Sequence, residues 1–341
     1  MVKLQLLVSS FCLASLSTAA ALPTTNSAVC KNPIKRQEWR QLSIPQRRNY
    51  IDAVLCLTTK KAVSGIPGAL NRFDDHQAVH VNQADHIHFV GHFILWHRYF
   101  VATYEKALRE ECGYTGAHPY WNYSLDAEPH NPTSTRVYDS EIFSPDTGFG
   151  GNGNKVEPLP GQNEFGMEGG TGGGCVQTGP FVASKFTVNY PGPADCLRRD
   201  FIPALMNTWA DPKLVTKQLE APDYTTFDRL MQGDTTSGAP NIHGSGHFGV
   251  GGALGQAGNA ANSPAEPLFY LHHANLDRIF WEWQQLDLKT RLNQVGGPIV
   301  PFDYSGQNVT LDYTINIGKL AGDRKLKELL DTTAGPFCYT Y

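Results

Sequence analysis

His88-Phe-Val-Gly91-His92-Phe93-Ile-Leu-Trp96-His97-Arg98-Tyr-Phe-Val101-Ala-Thr-Tyr104-Glu105 places three histidines just ahead of a helical pattern in which Phe100, Tyr104 and Leu108 recur on one face. The pattern predicts a long helix from Leu95 to about Glu110. Nine residues separate His88 from His97, about 180° of helical rotation, so one continuous helix would point the two rings apart. The chain must bend between them. Gly91 is suited to the bend, which lets His88 swing in from a preceding loop to meet His97 at the helix start.

Ten of the twelve histidines fall in two windows, residues 76–97 and 243–273. A lone histidine on an apolar face is more often a hydrogen-bonded core residue, but two dense clusters form a donor set for copper, zinc or iron. His243 and His247 stand at i, i+4, about 6 Å apart at Cβ, close enough to chelate one ion. The residues between them, Gly244, Ser245 and Gly246, include no glutamate base, so zinc-protease chemistry finds no support in the motif. His272 and His273 diverge by about 100° on a helix, so one should enter the site and the other point away. Ser263-Pro-Ala-Glu266 reads as a capping box opening a helix over 264–287. Asp277, one turn after His273, reads as the group that orients that ring from behind.

Farther out, a helix is expected from about Pro45, capped by Ser43 and striped by Tyr50, Ile51, Val54 and Leu55, with others at 198–209 and 224–232. Residues 22–44 read as an extended arm. The glycine-packed stretch 146–175 reads as a long irregular excursion of the kind that shapes a site mouth, pinned at its end by Cys175. No linker or repeat divides the chain. Lys3, the apolar run from Leu4 to Leu16 and the small residues Ser17 to Ala21 read as a secretory signal cleaved near Ala21 or Leu22. Its apolar run is too short to span a bilayer, which takes about 20 residues, and no later segment qualifies. Without Cys12, six scattered cysteines remain (Cys30, Cys56, Cys112, Cys175, Cys196 and Cys338) with no CxxC pair, which reads as three disulfides of open connectivity. Asn122 and Asn308 open glycosylation sequons, and Asn308 is the better site because Asn122 lies in an apolar run. A net charge of −4 without runs of either sign shows neither a nucleic-acid footprint nor an acidic-substrate funnel and favours a small neutral partner.

The stretch from His88 to Glu105 resembles the first signature of the tyrosinase and catechol oxidase family: a histidine, four spacers, Phe93, then Trp96-His97-Arg98 and a glutamate. Pro267-Leu-Phe269-Tyr270-Leu-His272-His273-Ala-Asn-Leu-Asp277 resembles the second signature, in which the later histidine of the doublet binds copper. The resemblance runs from about Trp39 to Tyr341, through Pro119-Tyr-Trp121-Asn122 and the closing Phe337-Cys338-Tyr339. It implies a mainly α fold, a four-helix bundle holding a dicopper site, with long loops and a few short strands. It also implies two copper ions, one held by His80, His88 and His97 and the other by His243, His247 and His273, with His80 the least constrained because His76 and His86 lie near. Phe269 would cover the dicopper centre. The activity implied is oxidation of o-diphenols to o-quinones by O2, in a secreted protein of short fungal type: residues 1–21 as signal peptide, 22–341 as one catalytic domain without a C-terminal shielding domain.

Two departures stand out. Many members have Asp-Pro ahead of the second signature where this chain has Glu266-Pro267, and the position of the fungal thioether cysteine is His86. A haemocyanin-like oxygen carrier would use the same ligands but shield them, and a zinc or disulfide scaffold would leave six convergent histidines unexplained. Gly244 follows the first ligand of the second copper, where stronger monophenol hydroxylases often carry an asparagine, so the resemblance favours diphenol oxidation over tyrosinase activity.

Overall fold

Caps written into the sequence start the helices of the computed structural model, which describes residues 30–233 and 238–341. Gln46 accepts from the Ser43 N–H at the start of α1 (Ile44–Leu57). Asn71 and Asp74 exchange bonds at the start of α2 (Arg72–Ile87) in a capping box. α3 (Phe93–Cys112) ends at Gly113, whose φ of +68° lets its N–H return to the Leu108 carbonyl. α4 (Pro203–Trp209), α5 (Pro212–Leu219), α6 (Tyr224–Gln232), α7 (Ile242–Gly251), α8 (Leu268–Gln285) and α9 (Leu288–Arg291) follow. The strands among the described residues are pairs two to four residues long, so the fold is mainly α with a few short strands, as expected. None of the described helices is long and apolar enough to cross a membrane.

α2 is the element that sequence reading missed. Its buried face carries Asp74, Asp75, His76, Gln77 and His80, so no apolar period marks it, and His88 caps a helix rather than ending a loop. The helix expected at 198–209 begins only at Pro203, because residues 200 and 202 donate their N–H groups to Val250 and Gly249. α8 begins at Leu268, and the capping box expected at Ser263 and Glu266 is not formed. The longer arm of Glu266 instead makes a buried bidentate ion pair with Arg199 (2.7 and 2.8 Å), whose guanidinium also donates to the Phe149, Gly150 and Gly151 carbonyls.

α2, α3, α7 and α8 form the helical core around both histidine windows, α3 packing on α8 and α1. The N-terminal arm adds Ile34–Lys35 as a parallel strand to Tyr339–Thr340, and the Cys30–Cys338 disulfide joins the same two ends. Cys56–Cys112 ties α1 to the end of α3. Cys175–Cys196 secures the glycine-rich excursion, which Gly153–Lys155 and Gly173–Val176 close as an antiparallel pair. The secretory signal expected at residues 1–21 lies outside the described residues. Asn308 is exposed, whereas Asn122 is half-buried.

Burial keeps several histidines outside the metal groups neutral: His76 and His92 fall to about 4 and His118 to about 3. An unfolded chain titrates these rings near the ordinary value of about 6.5. Their folded pKa values are depressed, so between about pH 6.5 and 4 the unfolded state binds protons that the fold refuses, and stability falls as pH falls. Chelator-treated protein should therefore unfold at lower urea at pH 4.5 than at pH 7. Equal midpoints would mean that these rings take up protons in the fold as readily as in the unfolded chain.

Candidate metal centre

Each of the four core helices delivers histidines. His80 lies two turns into α2, His88 caps its C-terminus, and His97 stands near the start of α3. His243 and His247 share one face of α7, and His272 and His273 sit midway along α8. The turn at 88–92 reverses the chain between α2 and α3. The bend expected at Gly91 falls at Phe89, whose φ is +55°, a left-handed conformation that costs a non-glycine residue roughly 1–2 kcal/mol. Gly91 serves a different need: a Cβ there would lie 2.0 Å from the Gly296 carbonyl oxygen.

Ring nitrogens of His80, His88 and His97 lie within 4.8 Å of one another, as do those of His243, His247, His272 and His273. The two groups face each other. His97 stacks on His273 at 4.4 Å between centroids, and His88 lies 6.2 Å from His243. Phe269 touches both groups, 4.2 Å from His273, 5.4 Å from His80 and 5.9 Å from His247. His76 is not part of the site: it packs among Phe100, Tyr104 and Tyr270. His86 is exposed.

Backbone carbonyls aim the rings. Nδ1 of His80, His88, His97 and His247 lies 2.8–2.9 Å from the carbonyl oxygens of Ala261, Ala84, Phe93 and Ala257 respectively. A carbonyl can only accept, so each Nδ1 carries the hydrogen and each neutral ring presents its Nε2 lone pair. Nε2 of His80, His97 and His243 is buried without a hydrogen-bond partner, an arrangement that costs about 1–3 kcal/mol per atom unless something binds there. Burial, and then the neighbouring imidazoles, pushes His80, His97, His243 and His273 well below the ordinary histidine range, and burial brings His247 to about 4. Neutral, convergent, imidazole-only donors fit two copper ions.

Two expectations fail. Asp277 orients no histidine. Its carboxylate accepts from Arg98 Nε (2.5 Å), Arg36 Nη1 (3.2 Å) and the hydroxyls of Tyr339 and Tyr341 (2.6 Å each). Burial alone would raise its pKa, but Arg98 and Arg36 hold it below the usual carboxylate value. His272 does not point away either. A 100° divergence puts neighbours on adjacent faces, and α7 comes so close that a Cβ on Gly246 would lie 2.1 Å from His272 Nδ1. His272 thus joins the second group from behind, against Tyr123, His243 and His247, while His273 is the member of the doublet that meets His97.

Aromatic residues that the sequence did not single out shape the surroundings. Trp209 lies over Gly244, Phe248 packs on Trp209 at 6.2 Å, and Phe165 packs on Phe248 at 5.2 Å. Phe165 belongs to the 146–175 excursion, which therefore reaches the residue next to His247.

The family model for the common central domain of tyrosinase matches residues 70–286, a span that contains both histidine groups. The tyrosinase-like protein phomQ1 of Diaporthe leptostromiformis is 36% identical over 335 residues, covering 92% of this chain and 78% of that protein. Tyrosinase P of Aspergillus terreus is 33% identical over 358 residues, covering 96% and 98%. A variant polyphenol oxidase from Thermothelomyces thermophila, a solved structure, matches with a TM-score of 0.76 at 31% identity, over 91% of this chain and 88% of that one. The chain belongs to the tyrosinase family. It is thereby an oxidoreductase of a family built on a type-3 dicopper site.

The reassignment of Asp277 is testable. Asp277→Asn leaves Arg36 and Arg98 buried beside a neutral amide, and breaking a buried pair in this way costs roughly 3–5 kcal/mol. The urea midpoint should drop accordingly. An unchanged midpoint would mean that Glu105 and backbone carbonyls satisfy both arginines unaided.

Proposed function

We propose that the protein is a copper-dependent o-diphenol oxidase, secreted, acting on a small phenolic substrate and O2, with His80, His88 and His97 holding one copper and His243, His247 and His273 the other. The observation that carries this reading is the pair of facing histidine groups whose Nε2 atoms converge, three of them buried without partners. Two coppers bound there would supply a two-electron oxidation: two diphenols become two quinones while one O2 takes up four electrons and four protons to form two waters. Zinc, which has no accessible redox couple, could not do this. The chain's own residues hold and screen. Burial keeps the ligand rings neutral, backbone carbonyls aim those of His80, His88, His97 and His247, and Phe269 lies against both groups and limits the space a substrate ring can enter. The three disulfides support an oxidising extracellular setting.

Two features favour diphenol over monophenol. Gly244 offers no side chain to position a proton acceptor for a phenol, and Trp209 fills the space such a side chain would need: a Cβ at 244 would lie 2.6 Å from the Trp209 ring. General bases typically contribute on the order of 10²- to 10⁴-fold, so a monophenol should turn over slowly or after a lag while a catechol reacts at once. Oxygen uptake with paired mono- and diphenols tests this, and comparable rates on both would overturn it. Gly244→Asn must displace Trp209, so Gly244→Asn combined with Trp209→Leu should raise the monophenol-to-diphenol ratio more than Gly244→Asn alone. An unchanged ratio in both variants would place selectivity elsewhere.

Metal content tests the ligands separately from turnover. His97→Ala or His247→Ala should abolish oxidation and remove about one of the two coppers, as expected when one of three ligands is lost. His272→Gln should keep both coppers. If it loses metal as fully as His273→Gln, the wrong member of the doublet has been assigned.

A further inference from the structure

The turn that presents His88 is held by a helix that contributes no histidine. Tyr224, Asp228 and Gln232 recur every fourth residue along α6 and form one buried polar stripe. The stripe is directed at three consecutive residues of the turn. Tyr224 donates its hydroxyl to the Gly91 carbonyl (2.8 Å), and Gln232 Nε2 donates to the Val90 carbonyl (3.1 Å). Gln232 Oε1 accepts from the N–H of Phe89. The Phe89 N–H can only donate and the Val90 carbonyl can only accept, which settles which end of the amide faces which group, and Asp228 Oδ2 lies 2.7 Å from Gln232 Nε2. Asp228 Oδ1 is buried without a partner, and burial pushes the carboxyl well above its usual range.

From the other side, segment 296–302 completes the grip. Pro298 accepts from the Gly91 N–H (2.8 Å), Phe302 donates its N–H to the Phe89 carbonyl (3.2 Å), and the Phe89 and Phe302 rings stack at 4.3 Å. Phe89 is the residue next to His88 and occupies the left-handed region, where a bulky side chain stays only if its surroundings over-determine it. Among these contacts Gln232 alone binds the main chain of two successive residues, Phe89 and Val90.

We propose that Gln232 is a positioning residue for the first metal group: by holding Phe89 left-handed it aims the His88 ring at His80 and His97. The proposal rests on the dicopper reading but assigns Gln232 no contact with metal or substrate. Replacing a group that orients metal ligands typically lowers metal affinity by 10- to 100-fold. Gln232→Met keeps the length of the side chain and removes its hydrogen bonds. It should lose the first-group copper selectively, seen as about one copper per chain after gel filtration against a chelator, with the metal-free melting temperature close to wild type. A glycine enters the left-handed region without strain. The double variant Gln232→Met with Phe89→Gly should therefore regain the copper, a rescue that a space-filling role would not give. Phe89→Gly alone keeps the Gln232 bonds and should hold both coppers, which reads the turn even if Gln232→Met does not fold.

Elemental analysis and competition titration with copper alone read all of these. Full copper retention in Gln232→Met, a loss that Phe89→Gly does not restore, or loss of a copper in Phe89→Gly alone would each overturn the assignment. A wild-type chain that binds no copper would instead overturn the dicopper reading itself.

Discussion

Arg98 follows His97, and Asp277 stands one turn beyond His273, so a single buried ion pair joins the two helices whose rings meet across the site. The rest of the architecture is arranged around that pair. Arg98 also donates to the Leu329 and Leu330 carbonyls, which draws the C-terminal segment onto the core. Arg36 bridges Asp277 and Glu105 from the N-terminal arm, and the last tyrosines close over the same carboxylate. Buried ion pairs add little net stability compared with well-packed apolar groups, but an unpaired buried charge costs several kcal/mol. A slip of α3 along α8 by one turn, about 5.4 Å, would leave such charges unpaired and would part His97 from His273. The pair therefore acts on register, and register is what a two-ion site needs.

How much of this could be read beforehand depended on whether the signal was local. The histidine windows, the i, i+4 spacing on α7 and the apolar recurrence in α3 are properties of short stretches, and the structure shows all three. α2 was invisible because its buried face is polar: Asp74, Asp75, His76 and Gln77 bond to groups that no helical period reveals. Asp277 was misread for the same reason. Spacing put it one turn behind a ligand, but its partner Arg36 lies 241 residues away in sequence. His272 shows the limit of angular reasoning, since a divergence of 100° says where a ring points and nothing of how near the next helix lies. Glu266 reads as part of a capping box and is an ion-pair partner, because Arg199, 67 residues away in sequence, packs against it.

The two metal groups differ in how they are built, and the difference bears on what binding would do. His80, His88 and His97 come from two long helices whose stability is secured by caps, core packing and the grip on residues 88–92. His243 and His247 come from α7, ten residues that include Gly244, Gly246, Gly249 and Gly251. Glycine within a helix costs about 1 kcal/mol relative to alanine, so α7 has little helical tendency of its own. The glycines are there because neighbours press in: Trp209 over Gly244, His272 over Gly246, Met206 over Gly249 and the Gly258 N–H against Gly251. Close approach thus substitutes for propensity, and α7 exists only as long as α4, α8 and the following loop are packed against it. An ion held by two residues one turn apart on such a helix would return part of its binding energy as helix stability. In the dicopper reading, the second group would therefore be the half of the site in which metal occupancy and local folding are most tightly linked.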